Sequence, residues 1–190
     1  NNNLIDHFEI ILIENGMRIL NARSEFINTL NPLIDECFKK FFDEKFDLKL
    51  SINSSWINKS KEQLLLEMKE SRQRDFLSNK SLFGIHRDDY VFYFNNLNAI
   101  DFCSLGQQKM CFLSLVFSYI NHSNSIDKKP IILMDDVSGE LDSVRWSNLV
   151  NYLKNEDFQI IITSANSAFQ RELESILEAK IINVKDGTFQ

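Results

Sequence analysis

Residues 131–136 read Ile131-Ile132-Leu133-Met134-Asp135-Asp136. Four apolar side chains followed by two carboxylates describe a short buried strand that ends abruptly in charge. Ligands of open α/β sheets bind just outside the carboxyl ends of the strands, so Asp135 and Asp136 stand where a site can form. Carboxylates at that edge suit Mg²⁺ binding and the orientation of an attacking water in phosphate chemistry. An ordinary strand running into a polar loop fits the same six residues. The surrounding sequence has to separate the two readings.

Two further apolar runs follow, Gln159–Ile162 and Ile181–Val184, with helical segments near 143–154 and 167–178. Apolar strands alternating with helices predict an α/β fold, a parallel sheet covered on both faces and joined by right-handed crossovers. Upstream, Tyr90–Phe94 is aromatic and β-branched, and Asn95-Asn96-Leu97-Asn98 is turn chemistry. Ala99–Phe102 is then expected to return as a strand. Residues 4–44 carry apolar positions at helical spacing, among them Ile11, Ile19, Phe26 and Leu30. Asn31-Pro32 is expected to break that helix, because proline restricts the residue before it. A short strand over 46–52 and a helix over 59–79 complete the amino-terminal part. The expected organisation is a mostly helical lobe over residues 1–80 and an α/β portion over 81–190.

A second segment, Ser104-Leu105-Gly106-Gln107-Gln108, opens a long apolar helix over 105–121. A serine there can cap the helix, and the free N–H groups with the helix dipole favour a phosphate. Gly106 would permit close backbone approach. A plain N-cap with a polar first turn explains the segment when it is taken alone.

Composition narrows the classes. The formal net charge is −6, with ten acidic and five basic residues over 131–190. Nucleic-acid-binding surfaces are usually basic; the candidate basic face is confined to 59–80, where Arg72, Arg74 and Lys80 are the possible DNA contacts. A solvated helix surface explains those charges as well. No stretch reaches the ~20 apolar residues of a membrane span. Cys37, Cys103 and Cys111, with His7, His86 and His122, show no zinc spacing and suggest reduced thiols in a cytoplasmic protein.

The two segments lie about one helix apart, in the order of the signature and acidic strand of an ABC-type ATPase, and Gly139-Glu140-Leu141-Asp142 follows at the place of the D-loop. Within that superfamily the chain resembles the RecF family. Gly84-Ile85-His86-Arg87-Asp88-Asp89 resembles its Gly-Pro-His-Arg-Asp-Asp, Ser104–Gln108 its Ser-x-Gly-Gln-Gln, and Asp135–Asp142 its Asp-Asp-Val-x-x-Glu-Leu-Asp. Ile85 departs from the usual proline and Gly139 from the usual serine. Thr163 and Ser164 stand at the switch position in place of a histidine. The sequence contains no Gly-x-x-x-x-Gly-Lys loop to cradle phosphates, so the chain resembles a carboxyl-terminal portion of such a protein.

The resemblance implies a partial ABC-ATPase core with ATP sandwiched in a homodimer. Ser104, Leu105, Gly106, Gln107 and Gln108 would face the partner's ATP. Asp135 would hold Mg²⁺ and Asp136 would position water for slow hydrolysis, while Gly139, Glu140 and Asp142 would signal across the dimer. It also implies DNA at single-strand/double-strand junctions and a RecR-type mediator as partners, in replication and recombinational repair. The rival readings are another ABC-class ATPase subunit and a non-catalytic interaction module.

Overall fold

The computed structural model describes residues 2–41, 44–124, 130–136, 141–155, 159–164, 180–185 and 187–189. Helix α1 (Asn2–Phe41) is followed by β1 (Leu48–Asn53), α2 (Lys61–Ser78), a 3₁₀ turn (Ile85–Arg87), β2 (Asp89–Phe94), β3 (Leu97–Asn98), α3 (Ala99–Phe102) and α4 (Leu105–Asn124). Then come β4 (Ile131–Asp135), α5 (Ser143–Leu153), β5 (Gln159–Thr163), β6 (Val184–Lys185) and β7 (Thr188–Phe189). The fold is α/β.

Helix α1 runs unbroken through Pro32, against the expected boundary. Proline lacks an N–H and removes one intrahelical bond, but Pro32 and the carbonyl-bearing residue one turn before it, Asn28, both face solvent. On the opposite side Ile27, Leu30 and Ile34 are buried, and that packing keeps the helix continuous through the defect.

Strands β1, β2 and β3 form an antiparallel sheet in that order, with Leu50 opposite Phe92. The β2–β3 hairpin turns on Asn95 and Asn96, both left-handed at φ 46° and 66°. Asparagine tolerates that region, and two such residues in succession make the tight turn that suits strand twist. Ala99–Phe102 is a helix and not the expected strand, because the Asn98 side chain accepts from Ile100 N–H at 3.0 Å and caps it.

The parallel sheet consists of β4 and β5 in register, Met134 beside Ile162 and Asp135 beside Thr163. Ile132 and Met134 are buried, but Ile131 and Leu133 are 64% and 73% exposed. Among the described residues this sheet is therefore covered on one face only, not both as expected. Nor does Ile181–Val184 extend it. Val184 and Lys185 pair antiparallel with Phe189 and Thr188 across Gly187, whose φ of 76° suits a tight turn. The segment expected to be helical at 167–178 lies outside the described residues.

One core joins the carboxyl half of α1 to β1, α4, β4 and α5, centred on Phe38, Phe41, Phe117 and Trp146. Edge-to-face contacts link Phe41 to Phe117 and Tyr152, at ring centroid separations of 5.5 and 4.9 Å. A second cluster packs the amino half of α1 against Trp56, Leu64 and Met68. Residues on either side of position 80 thus share one sheet, through β1 and β2, and one core. Cys111 lies within that core, and burial pushes its thiol up to about 12. No described helix is long and apolar enough to cross a membrane.

Candidate functional site

The acidic strand end is organised by the neighbouring strand. Pairing of β4 with β5 brings Thr163 beside Asp135, and the Thr163 hydroxyl donates to Asp135 Oδ1. Asp136 then leaves the strand with φ 44°, a left-handed conformation unfavourable for a residue with a Cβ. Its N–H donates to Thr163 O at 3.2 Å and lies 3.3 Å from Thr163 Oγ1. Its carbonyl accepts from Lys109 Nζ of α4 at 3.4 Å. The Asp136 peptide is thus held from two elements, and its carboxylate stays exposed. Thr163, placed at the switch position by the family resemblance, spends its hydroxyl on Asp135 and on the Asp136 N–H.

The segment before α4 forms a reciprocal cap. Ser104 N–H donates to Gln107 Oε1 at 2.8 Å, and Gln107 N–H donates to Ser104 Oγ at 3.3 Å. Gln108 Nε2 reaches back to Cys103 O at 3.1 Å and ties α4 to the short helix before it. Leu105 is exposed and Gly106 half-buried within the first helical turn. The plain N-cap reading therefore describes what Ser104 and Gln107 do here, and it leaves their helix end open to solvent.

Asp142 caps α5: its side chain accepts from Arg145 N–H at 2.9 Å and pairs with the Arg145 guanidinium at 3.0 Å. Gly139 and Glu140 lie outside the described residues. Ser164 follows β5 at the surface.

The Gly84–Asp89 segment turns on Gly84, whose φ is 146° and where a Cβ would sit 2.8 Å from His86 Nδ1. Arg87 N–H to Gly84 O at 2.9 Å closes the 3₁₀ turn. The Asp88 side chain is 2% exposed and faces Arg23 Nη1 at 3.6 Å, an ion pair too long for a hydrogen bond. Arg23 also donates to Ile85 O at 3.2 Å. His86 Nε2–H donates to Ser81 O at 2.9 Å. Arg87 and Asp89 project to solvent, with Asp89 accepting from Tyr90 N–H.

Among the three candidate DNA contacts, Arg74 and Lys80 are exposed. Arg72 instead makes a two-pronged contact with Glu9, at 2.7 and 2.6 Å, and also pairs with Asp6. Those hydrogen bonds and charges raise its pKa further. Arg72 joins α2 to α1, so its guanidinium is committed inside the fold. Sequence reasoning missed Lys109 and Arg23. Lys109 sits in the second turn of α4, where its reach to the end of β4 had no local signal.

Residues 24–188 match the family described as RecF/RecN/SMC N terminal domain. The chain belongs to that family. It is 32% identical over 193 residues to the DNA replication and repair protein RecF of Bacillus thuringiensis (strain Al Hakam), covering 97% of this chain and 51% of the relative. RecF of Bacillus mycoides (strain KBAB4) gives the same figures. The chain therefore spans about half the length of these RecF/RecN/SMC relatives. A solved structure of the recombination mediator protein RecF-ATPrS in the RecFOR pathway superposes with a TM-score of 0.74 at 22% identity, over 100% of this chain and 50% of that one. A structure from work on ATP-driven dimerization and DNA stimulated activation of SMC ATPases superposes at 0.55 and 14% identity, over 90% and 86%. At those identities the two superpositions establish the shared fold.

Oxygen donors at the end of a parallel strand fit Mg²⁺, which is commonly held by one or two carboxylates with phosphates and water completing the shell. The described residues hold no cluster of three or more His, Cys, Asp or Glu able to bind a metal alone. Asp135 and the adjoining Asp136 supply carboxylates of the type such a shell uses.

Proposed function

We propose that this chain is an ATP-dependent, RecF-type DNA-binding component of DNA replication and recombinational repair. The observation that carries this reading is the acidic strand end in a chain that also presents a capped signature helix, with the Asp136 backbone held between Thr163 and Lys109. Asp135 would hold Mg²⁺, which would supply neutralisation of phosphate charge. The exposed Asp136 carboxylate orients water toward a γ-phosphate, and aspartate, shorter than glutamate, holds that water farther back, giving slow turnover. Ser104 to Gln108 face the nucleotide of a second subunit, so that ATP closes a homodimer around DNA. DNA junctions and a RecR-type mediator are the partners, and RecF relatives bear names consistent with that setting.

These 190 residues contain no Gly-x-x-x-x-Gly-Lys loop. Hydrolysis therefore requires such a loop from a segment beyond them. The test is to supply that segment from a RecF relative, in cis or as a separate polypeptide, and measure ATPase rate and junction-DNA binding. ATP-dependent association and turnover, reduced by Asp136→Asn and by Ser104→Arg, support the reading. A fully assembled protein that neither binds nor hydrolyses ATP overturns it. The sequestered Arg72 favours a second reading, a non-catalytic interaction module. In that case the assembled protein binds its partners equally with and without ATP.

A further inference from the structure

The geometry points to Lys109 as a positioning residue that fixes the Asp136 turn and mechanically joins the signature segment to the acidic strand end. The functional meaning of this joint rests on the reading just proposed; the joint itself is testable without nucleotide.

Asp136 adopts φ 44°, a region that aspartate tolerates better than most residues but still less readily than glycine, so the contacts around it bear on how well the turn is held. The two ends of its peptide environment are enforced differently. The N–H side is held by Thr163 of β5, at 3.2 Å to the carbonyl. That contact belongs to the sheet and moves with it. The carbonyl side is held by Lys109, at 3.4 Å, from a different layer of the molecule. Lys109 is half-buried on α4, two residues beyond Gln107. Gln107 is locked to Ser104 by the reciprocal cap, and the neighbouring Gln108 is locked to Cys103. A shift of the first turn of α4 is therefore transmitted through a rigid helix to the ammonium group and on to the Asp136 carbonyl.

In the proposed dimer the signature segment and the acids serve different nucleotides. Lys109 then reports occupancy of one site to the other within a single chain. Tightening of Ser104–Gln108 on one ATP sets the backbone that aims Asp136 at the second. A charged donor suits this task, because it acts on a carbonyl oxygen across a gap that tolerates small helix shifts.

The experiment is amide hydrogen exchange by NMR on this chain, unaltered and as Lys109→Met, Lys109→Arg, Ser104→Ala and the Lys109→Met/Ser104→Ala pair. Methionine keeps the apolar stem and removes the donor. Lys109→Met is expected to raise exchange at Asp136 N–H about tenfold, with α4 amides from Cys111 to Ile120 unchanged, and Lys109→Arg to restore protection. Ser104→Ala is expected to raise exchange at Asp136 in the unaltered background but to add nothing once Lys109 is methionine. Unchanged protection at Asp136 in Lys109→Met overturns the proposal, as does a loss spread evenly over α4 and β4. Should Lys109→Met not fold, Lys109→Leu read against Lys109→Arg decides by the same two outcomes. Because no ATP is present, a failure here is separate from a failure of the assembled protein to bind ATP.

Discussion

The carboxamide of Asn31 pairs with both backbone groups of Leu50: Oδ1 accepts from the Leu50 N–H at 2.8 Å, and Nδ2 donates to its carbonyl at 3.0 Å. One turn later Asp35 Oδ1 accepts from Leu48 N–H at 2.9 Å, and Lys39 bridges Asp35 and Asp47 at 2.6 and 2.8 Å. Helix α1 therefore supplies, from residues four apart, the partners that β1 lacks on the edge not paired with β2. An edge strand with unpaired groups invites aggregation, and here a helix covers it.

Asn31→Leu should destabilise the chain by about 1–3 kcal/mol, since it strands a donor and an acceptor of Leu50 away from water. Asn31→Asp retains the acceptor and should lose less. Urea denaturation with an unchanged m-value is the measurement; equal stability of Asn31→Leu and the unaltered chain would sink the edge-pairing account.

Replacing a helical glycine by alanine normally stabilises by about 0.5–1 kcal/mol. Gly16→Ala should do the reverse. A Cβ there would lie 2.5 and 2.8 Å from Trp56 ring atoms, and Trp56 is buried. Overpacking of about 1–3 kcal/mol outweighs the helix gain. A lowered thermal midpoint with altered Trp fluorescence is expected.

Acid should loosen the α1–α2 contact. A hydrogen bond from Arg72 holds Asp6 below its ordinary 3.8, and one from Lys61 holds Glu14 below its ordinary 4.5. Both folded values are depressed, so the stability they contribute is present above those ordinary values and is lost as pH falls through the folded ones. Thermal midpoints measured downward from pH 6 should therefore decline most steeply below 4.5. Arg72→Met should flatten the portion due to Asp6.

Asp136→Gly should raise stability by about 1 kcal/mol, because glycine reaches φ 44° without the Cβ penalty. The same change removes the proposed water-orienting carboxylate. Guanidinium denaturation gives the first effect and ATP turnover in the assembled protein the second. A destabilised glycine variant would show that the carboxylate itself stabilises the turn.

Periodicity, turn residues and motif order made much of this protein legible in advance. Helices α2, α4 and α5, strands β1, β2, β4 and β5, the Asn95-Asn96 turn and the family follow from local patterns, because each such pattern is satisfied within a few residues of chain. Failures arose where packing, a cap or the path of the returning chain overrides propensity. Pro32 stays helical because both flanks of α1 are packed, and Ala99–Phe102 is a helix because Asn98 caps it at a place where β propensity argued for a strand. Ile181–Val184 is as apolar as β5, yet sheet membership depends on which edge the chain returns to.

The candidate site divides along the same line. Asp135, Asp136 and Ser104 to Gln108 were readable as residue types at a strand end and a helix start, since strand alternation and helix capping are short-range. Only the tertiary structure decided that Thr163 binds Asp135, that Arg72 is spent on Glu9 and Asp6, and that Lys109 reaches the Asp136 carbonyl. Those contacts join residues between 27 and 66 positions apart. No local propensity encodes such pairings, because they exist only once the hydrophobic core has set the elements side by side.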